Sequence, residues 1–242
     1  MRYSRLLSAA ALACSLALAT GCSATPPPVS DKVQAEYEKN RSLAPTGHVQ
    51  PAQKAVFVGD SYTAGAGSTQ GSWADRMAPR VGWQFKNLAL GGTGYLNQSS
   101  KAGCGLDFCP NYDGVIPGIA KESPTMVVVS GGRNDTALNP VDVQASITKF
   151  YQELHATMPT AKIIALSPVW DATHPPAALA DIASSVQQAA VAAGGAYVDI
   201  GEPLAGHPEL IAADKVHPND AGHEALAVAT EKALRAAGVV KP

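Results

Sequence analysis

Two short stretches of the chain carry residue types that can do covalent chemistry together. In "KAVFVGDSYTAGAG", residues 54–67, an apolar run ends abruptly at Gly-Asp-Ser. A serine in that place can cap a helix, hold a phosphate or attack a substrate. As a nucleophile, Ser61 needs a base to take its proton and fixed donors to hold the oxyanion that forms. It lies just past an apolar run and at the start of a helical segment, whose N-terminus favours negative charge, and Gly59 lets the chain turn tightly there. A base with its own orienting partner stands in "DKVHPND", where Asp214 precedes His217 by three residues. On one turn of chain that spacing lets the carboxylate reach the imidazole nitrogen facing away from the serine, fixing the tautomer and stabilising the imidazolium. Taken singly, the same residues describe an N-capping serine and a solvated histidine beside an unrelated aspartate. A second Asp-x-x-His, Asp171 and His174 in "WDATHPP", follows a later apolar run; it and Trp170 can line the same cleft.

These residues need a scaffold that brings positions 61 and 217 together. The runs "AVFV" (55–58), "FKNLAL" (85–90), "MVVV" (126–129), "KIIAL" (162–166) and "AYVDI" (196–200) are short and rich in β-branched residues, as strands covered on both faces are. Between them lie helical patterns. Residues 141–158 place Val143, Ile147, Phe150, Tyr151 and Leu154 along one stripe, and residues 177–194 and 219–238 each end in glycine. Alternating strands and helices predict a three-layer α/β/α sandwich around a doubly wound, five-stranded parallel sheet. In such sheets ligands bind beyond the carboxyl ends of the strands. Three successive strands end there in "GDS", "GGTG" and "GGRND". His155 and His223 read as surface residues of their helices, and Asp60 and Asp135 as turn and cap residues.

The blocks "GDSY", "GGTG", "GRND" and "DKVH" occur in the order and rough spacing of the four blocks of the SGNH, or GDSL-type, hydrolases, and the resemblance runs from about Val56 into the last helix. It implies a flavodoxin-like fold and serine ester hydrolysis without a cofactor. Ser61 matches the family's nucleophile, His217 its base and Asp214 its third triad member. The resemblance places the oxyanion hole at the backbone N–H groups of Ser61 and Gly92, with Gly91 one register away, and at the Asn134 side-chain amide. Tyr62 stands where the family's nickname motif has leucine. Arg133 fills a variable position and reads as a surface ion pair. The commoner elbow G-x-S-x-G is absent, because Thr63 occupies its second glycine position. No Walker loop accompanies the glycines, and the dinucleotide fingerprint lacks its crossover helix.

Arg2 and Arg5 ahead of the apolar stretch at residues 6–19 predict a signal peptide, residues 1–21. Two cleavage readings compete: a lipobox-like "LATGC" that lipidates Cys22, and A-x-A cleavage after Ala19. Either predicts export, to the cell envelope as a lipid-anchored protein or in secreted form. Residues 22–51, rich in proline and polar groups, form a tether, and residues 52–242 the hydrolase domain. Cys104 and Cys109, in "CGLDFC", predict a small disulfide loop in an oxidising compartment; two free thiols is the alternative, and no metal is expected. With 18 basic against 20 acidic residues, nothing advertises a nucleic-acid partner. The expected substrate is a small-molecule, glycan or lipid ester, with membrane contact only through the lipid anchor. The insert at residues 95–119 is mostly polar, which favours short acyl groups or a carbohydrate ester. Acyl transfer to an alcohol and a catalytically silent envelope-binding lipoprotein are the alternatives.

Overall fold

The computed structural model describes Lys32 and residues 53–240. The expected signal peptide, Cys22 and almost all of the tether lie outside the described residues. The chain divides into two compact units, Met1–Val49 and Gln50–Pro242, and the fold below is that of the second.

Five parallel strands, β1 (Lys54–Gly59), β2 (Gln84–Asn87), β3 (Met126–Ser130), β4 (Lys162–Leu166) and β5 (Ala196–Val198), form one sheet in the order β2-β1-β3-β4-β5. The chain leaves β1 to one side for β2 and then crosses to the other side for β3. The switch point therefore lies between β1 and β3, where Gly59 pairs with Ser130. This is the predicted α/β fold.

The strands are apolar on both faces because both faces are covered. Val56, Val58, Val127, Val129, Ile163 and Ala165 point to one side, under α4 (Tyr112–Lys121), α5 (Pro140–Thr157) and α6 (Ala177–Ala192). Ala55, Phe57, Met126, Val128, Ile164 and Leu166 point to the other, under α2 (Trp73–Arg80) and α7 (Asp220–Ala236). Each fully buried valine or leucine contributes about 1.5–3 kcal/mol. In α5 the buried residues are Val143, Ile147, Phe150, Tyr151 and Leu154, the stripe its sequence predicts.

The ends of two strands differ from expectation. Strand β2 stops at Asn87, whose side-chain oxygen accepts the Ala89 N–H while its amide donates to the Thr63 carbonyl at 2.7 Å. Strand β5 stops at Val198 because the Asp199 carboxylate turns the chain by accepting the Gly201 N–H. The insert at residues 95–119 is not the polar excursion its composition suggests. Tyr95 and Tyr112 are fully buried and join the core, and Asn111 caps helix α4 although Gly114, Pro117 and Gly118 lie within it. A short helix, α3 (Lys101–Cys104), leads into the Cys104–Cys109 disulfide, and the exposed Leu106 and Phe108 lie within that loop.

His223 is not on the surface. It is fully buried in the first turns of α7, where its Nδ1 accepts the Trp73 N–H at 3.2 Å and its Nε2 donates to the Ala66 carbonyl at 3.0 Å. That pair of bonds fixes the neutral Nε2–H tautomer, and burial lowers its pKa below the ordinary 6.5, with Arg76, Asp220 and the His217 imidazole as the titratable groups around it. A proton on Nδ1 would face the Trp73 N–H. Because the folded pKa is depressed, the unfolded chain takes up the proton first, and stability from this site is full above about pH 6.5 and declines as pH falls through it. His223→Leu, which fills much of the same space but has neither donor nor acceptor and leaves the Trp73 N–H and the Ala66 carbonyl unpaired, should therefore be less stable than wild type by about 1–3 kcal/mol at pH 8. Urea titrations should show that difference narrowing by pH 5.5, and a gap independent of pH would contradict the neutral buried imidazole.

Candidate active site

Ser61 opens the short helix α1 (Ser61–Ala64) directly beyond β1 and is 8% exposed. Asp60 caps this helix, its Oδ1 accepting the Tyr62 N–H at 3.0 Å. Burial pushes the Asp60 carboxyl up to about 6, against the opposing pull of that N–H and of Arg133. Asp60 is thus a cap, as its sequence position suggests.

Asp214 and His217 form a pair at the other end of the domain. Asp214 Oδ2 lies 2.7 Å from His217 Nδ1, and Asp214 Oδ1 accepts the backbone N–H groups of Val216 at 2.9 Å and His217 at 3.0 Å. The His217 N–H, its imidazole and the Val216 N–H together hold the Asp214 carboxyl down near 2. The carboxylate is therefore charged throughout the neutral range and oriented on Nδ1, and among the described residues Nε2 has no hydrogen-bond partner.

Several contacts bring this pair to the serine helix. The Tyr62 ring meets the His217 ring edge-on at 6.0 Å between centroids, and the Tyr62 hydroxyl donates to the Val216 carbonyl at 2.5 Å. Gly67, with φ +86°, passes so close that a Cβ there would stand 2.8 Å from His217 Cβ and 2.4 Å from the Pro218 carbonyl oxygen. Behind it, the Asp220 carboxylate accepts the Thr69 and Gln70 N–H groups and the Ser68 and Thr69 hydroxyls, and pairs with Arg76 at 3.2 Å. No hydrogen bond joins the Ser61 hydroxyl to His217 among the described residues; such bonds commonly tighten only when substrate is bound.

The second and third glycine loops converge on the same place. Asn134, in the 3-10 turn Arg133–Asp135, donates from Nδ2 to the Thr93 carbonyl at 2.9 Å, and its other amide hydrogen has no acceptor among the described residues. Gly92 adopts φ +73°, and a Cβ there would meet Ser99 Oγ at 2.5 Å, so both backbone and space require glycine. Among the described residues neither the Ser61 nor the Gly92 N–H has an acceptor within the chain. The loop is fixed by Asp135, a residue assigned from sequence only to a turn. Its buried carboxylate accepts the N–H groups of Tyr95 at 2.8 Å, Leu96 at 3.1 Å and Asn97 at 2.8 Å. The Asn97 amide in turn donates to the Gly92 carbonyl at 2.7 Å. Burial raises the Asp135 carboxyl above the usual range, and the three N–H groups oppose that rise.

Arg133 is not a surface ion pair. Its side chain is 13% exposed, lies 3.8 Å over the Trp170 ring and 5.3 Å from the Tyr62 ring centroid, and bonds Asp171 at 2.6 Å. Asp171 is thereby committed. Burial raises its pKa, but the Thr173 hydroxyl and Arg133 outweigh burial and the carboxyl sits below its ordinary value. The second Asp-x-x-His is accordingly no dyad: Asp171 pairs with Arg133, and His174 is exposed on the wall of an open cavity of about 450 Å³ with Pro175, Pro176, Tyr197, Asp199 and Glu202. His155 is exposed, as expected.

Residues 57–225 match the profile of the GDSL-like lipase/acylhydrolase family. The chain is 32% identical over 188 residues to GDSL lipase Rv0518 of Mycobacterium tuberculosis, a match covering 71% of this chain and 77% of the relative. Among solved structures it is similar to the psychrotrophic esterase EstA from Pseudoalteromonas sp., at 15% identity and a TM-score of 0.59, covering 76% of this chain and 97% of that one. It is also similar to a family two carbohydrate esterase from Clostridium thermocellum in complex with cellohexaose, at 17% identity and a TM-score of 0.58, covering 78% and 65%. At these identities the structural likenesses speak to the fold.

The Asp135 clamp makes a simple test of the site's rigidity. In Asp135→Asn the new NH₂ group must face one of three backbone N–H donors, and a buried donor left unpaired costs about 1–3 kcal/mol. Chemical denaturation should show a loss of that size, whereas a loss below about 0.5 kcal/mol would mean the loop is held by other contacts.

Proposed function

The chain belongs to the GDSL-like lipase/acylhydrolase family and is an ester hydrolase, and from that premise we propose that it works through a Ser61–His217–Asp214 triad and an acyl-enzyme. Ser61 Oγ attacks the ester carbonyl while His217 Nε2 takes its proton. Asp214 holds Nδ1–H and stabilises the imidazolium. The Ser61 and Gly92 N–H groups and the Asn134 amide receive the oxyanion of the tetrahedral intermediate. Collapse of that intermediate expels the alcohol with the proton from His217, and water, activated by the same imidazole, then releases the acid. The observation that carries the reading is the 2.7 Å contact of Asp214 with His217 Nδ1, in an imidazole packed against the residue that follows Ser61.

The substrate we propose is an ester of a short acyl group, its alcohol a glycan or lipid of the cell envelope. The large apolar residues Tyr95, Tyr112, Ile116 and Ile119 of the 95–119 insert are buried in the core, which supports a shallow acyl site, and the fold shared with a carbohydrate esterase is compatible with a sugar alcohol. Export of the enzyme, as a lipoprotein anchored at Cys22 or in secreted form, is part of the same proposal and rests on the sequence of the first 22 residues.

Initial rates on p-nitrophenyl acetate, butyrate, octanoate and palmitate, with Ser61→Ala beside the wild type, test both parts. The acetate and butyrate esters should be fastest, and the variant should lose a factor on the order of 10⁴ or more in kcat. Wild type but not the variant should gain a single fluorophosphonate adduct by mass. Retained activity in Ser61→Ala would overturn the serine mechanism, and a maximum at palmitate would overturn the short-acyl reading alone.

A further inference from the structure

Asp214 and His217 orient each other, but nothing in that pair sets their distance from Ser61. The segment carrying them is exposed, and Lys215 within it has φ +62°, a conformation that non-glycine residues adopt only when held. Its own hydrogen bonds close it on itself: Ala212 N–H donates to the His217 carbonyl, Lys215 N–H to the Ala212 carbonyl, and Val216 and His217 N–H to Asp214. Among the described residues, one hydrogen bond of residues 212–218 reaches outside residues 210–219, and it is the bond from the Tyr62 hydroxyl to the Val216 carbonyl. Tyr62 adjoins Ser61 in sequence, so the contact measures the spacing that matters.

We propose that Tyr62 is a positioning residue, whose hydroxyl holds the Asp214–His217 segment at the distance from Ser61 that proton transfer requires. The proposal rests on the serine-hydrolase reading above. The tyrosine is itself well placed for the task. It is 4% exposed, its ring abuts the His217 imidazole, and Arg133 lies over that ring while stacked on Trp170 and anchored to Asp171. The strut thus runs from the β4 loop through Arg133 and Tyr62 to Val216. Leucine, the usual residue of the nickname motif, can fill the space but cannot donate a hydrogen bond. In this chain the work falls to a hydroxyl on the helix of the nucleophile.

Tyr62→Phe keeps the ring and its stacking while removing the bond. Its kcat on p-nitrophenyl acetate should fall about threefold to tenfold, the change in population that one hydrogen bond of ordinary net strength controls. KM should stay within about twofold, because no substrate contact is removed. The low-field proton resonance of His217 Nδ1–H, assigned by its loss in His217→Gln, should be sharp in wild type and exchange-broadened in Tyr62→Phe. Tyr62→Leu, which also removes the ring, should lose at least as much in kcat. A kcat within about 1.5-fold of wild type in either variant, an unchanged resonance in Tyr62→Phe, or a rise in KM at constant kcat overturns the positioning role. Ser61→Ala is run alongside: if it retains the wild-type rate, the serine mechanism has failed, whereas an inactive Ser61→Ala with a fully active Tyr62→Phe removes the Tyr62 proposal alone.

Discussion

The buried imidazole of His223 ties the last helix to the loop that follows the nucleophile. Its two nitrogens face two backbone groups, the Trp73 N–H and the Ala66 carbonyl, more than a hundred residues away in sequence. A buried polar ring is tolerated only where both nitrogens find partners, so this one admits a single relation between the two segments. The Asp220 carboxylate repeats the constraint one turn earlier, gripping residues 68–70. Asp214 and His217 lie immediately before this docked helix, and Ser61 immediately before the docked loop. The joint thus brings the two segments to the same end of the sheet, and the Tyr62–Val216 bond acts within the frame it provides. Gly67 lets the joint close, since any side chain there would strike His217 and Pro218.

Charge near the serine is arranged with the same care. Two buried carboxylates, Asp60 and Asp135, lie at the ends of β1 and β3, and unshielded negative charge there would oppose an oxyanion. Asp60 spends its charge on the Tyr62 N–H at the N-terminus of α1, and Asp135 distributes its own over three consecutive N–H groups. Arg133, the nearby cation, is balanced by Asp171. Among the described residues, the Ser61 and Gly92 N–H groups stay without an acceptor at this edge, the polarity that the proposed alkoxide needs.

Much of this was legible in the sequence, for identifiable reasons. Strands covered on both faces leave continuous apolar runs, and an eighteen-residue helix such as α5 leaves a stripe long enough to name its five buried residues. The Asp214–His217 pair was readable because its geometry is local, three residues along one turn. Helices α2 and α4 were not, since one is eight residues long and the other carries two glycines and a proline that speak against a helix. For α2 a signal existed in the Ser72–Asp75 capping box. Nothing in the pattern of the last helix distinguishes His223 from a solvent-facing residue, because its burial is decided by Ala66 and Trp73. Arg133 and Tyr62 were obscure for the same reason: their partners, Trp170 and Val216, are distant in sequence.

Gly67's close approach to His217 and Pro218 has a consequence for how the protein folds. The surface that Gly67 must meet, His217 and Pro218, lies far from it along the chain, on the other side of four of the five strands. Contacts of such long separation close late, after the sheet they rest on. Until they close, no imidazole is held beside Ser61, and the proposed triad is incomplete. On the proposed triad, activity is a property of the closed tertiary structure and of no segment of the chain by itself.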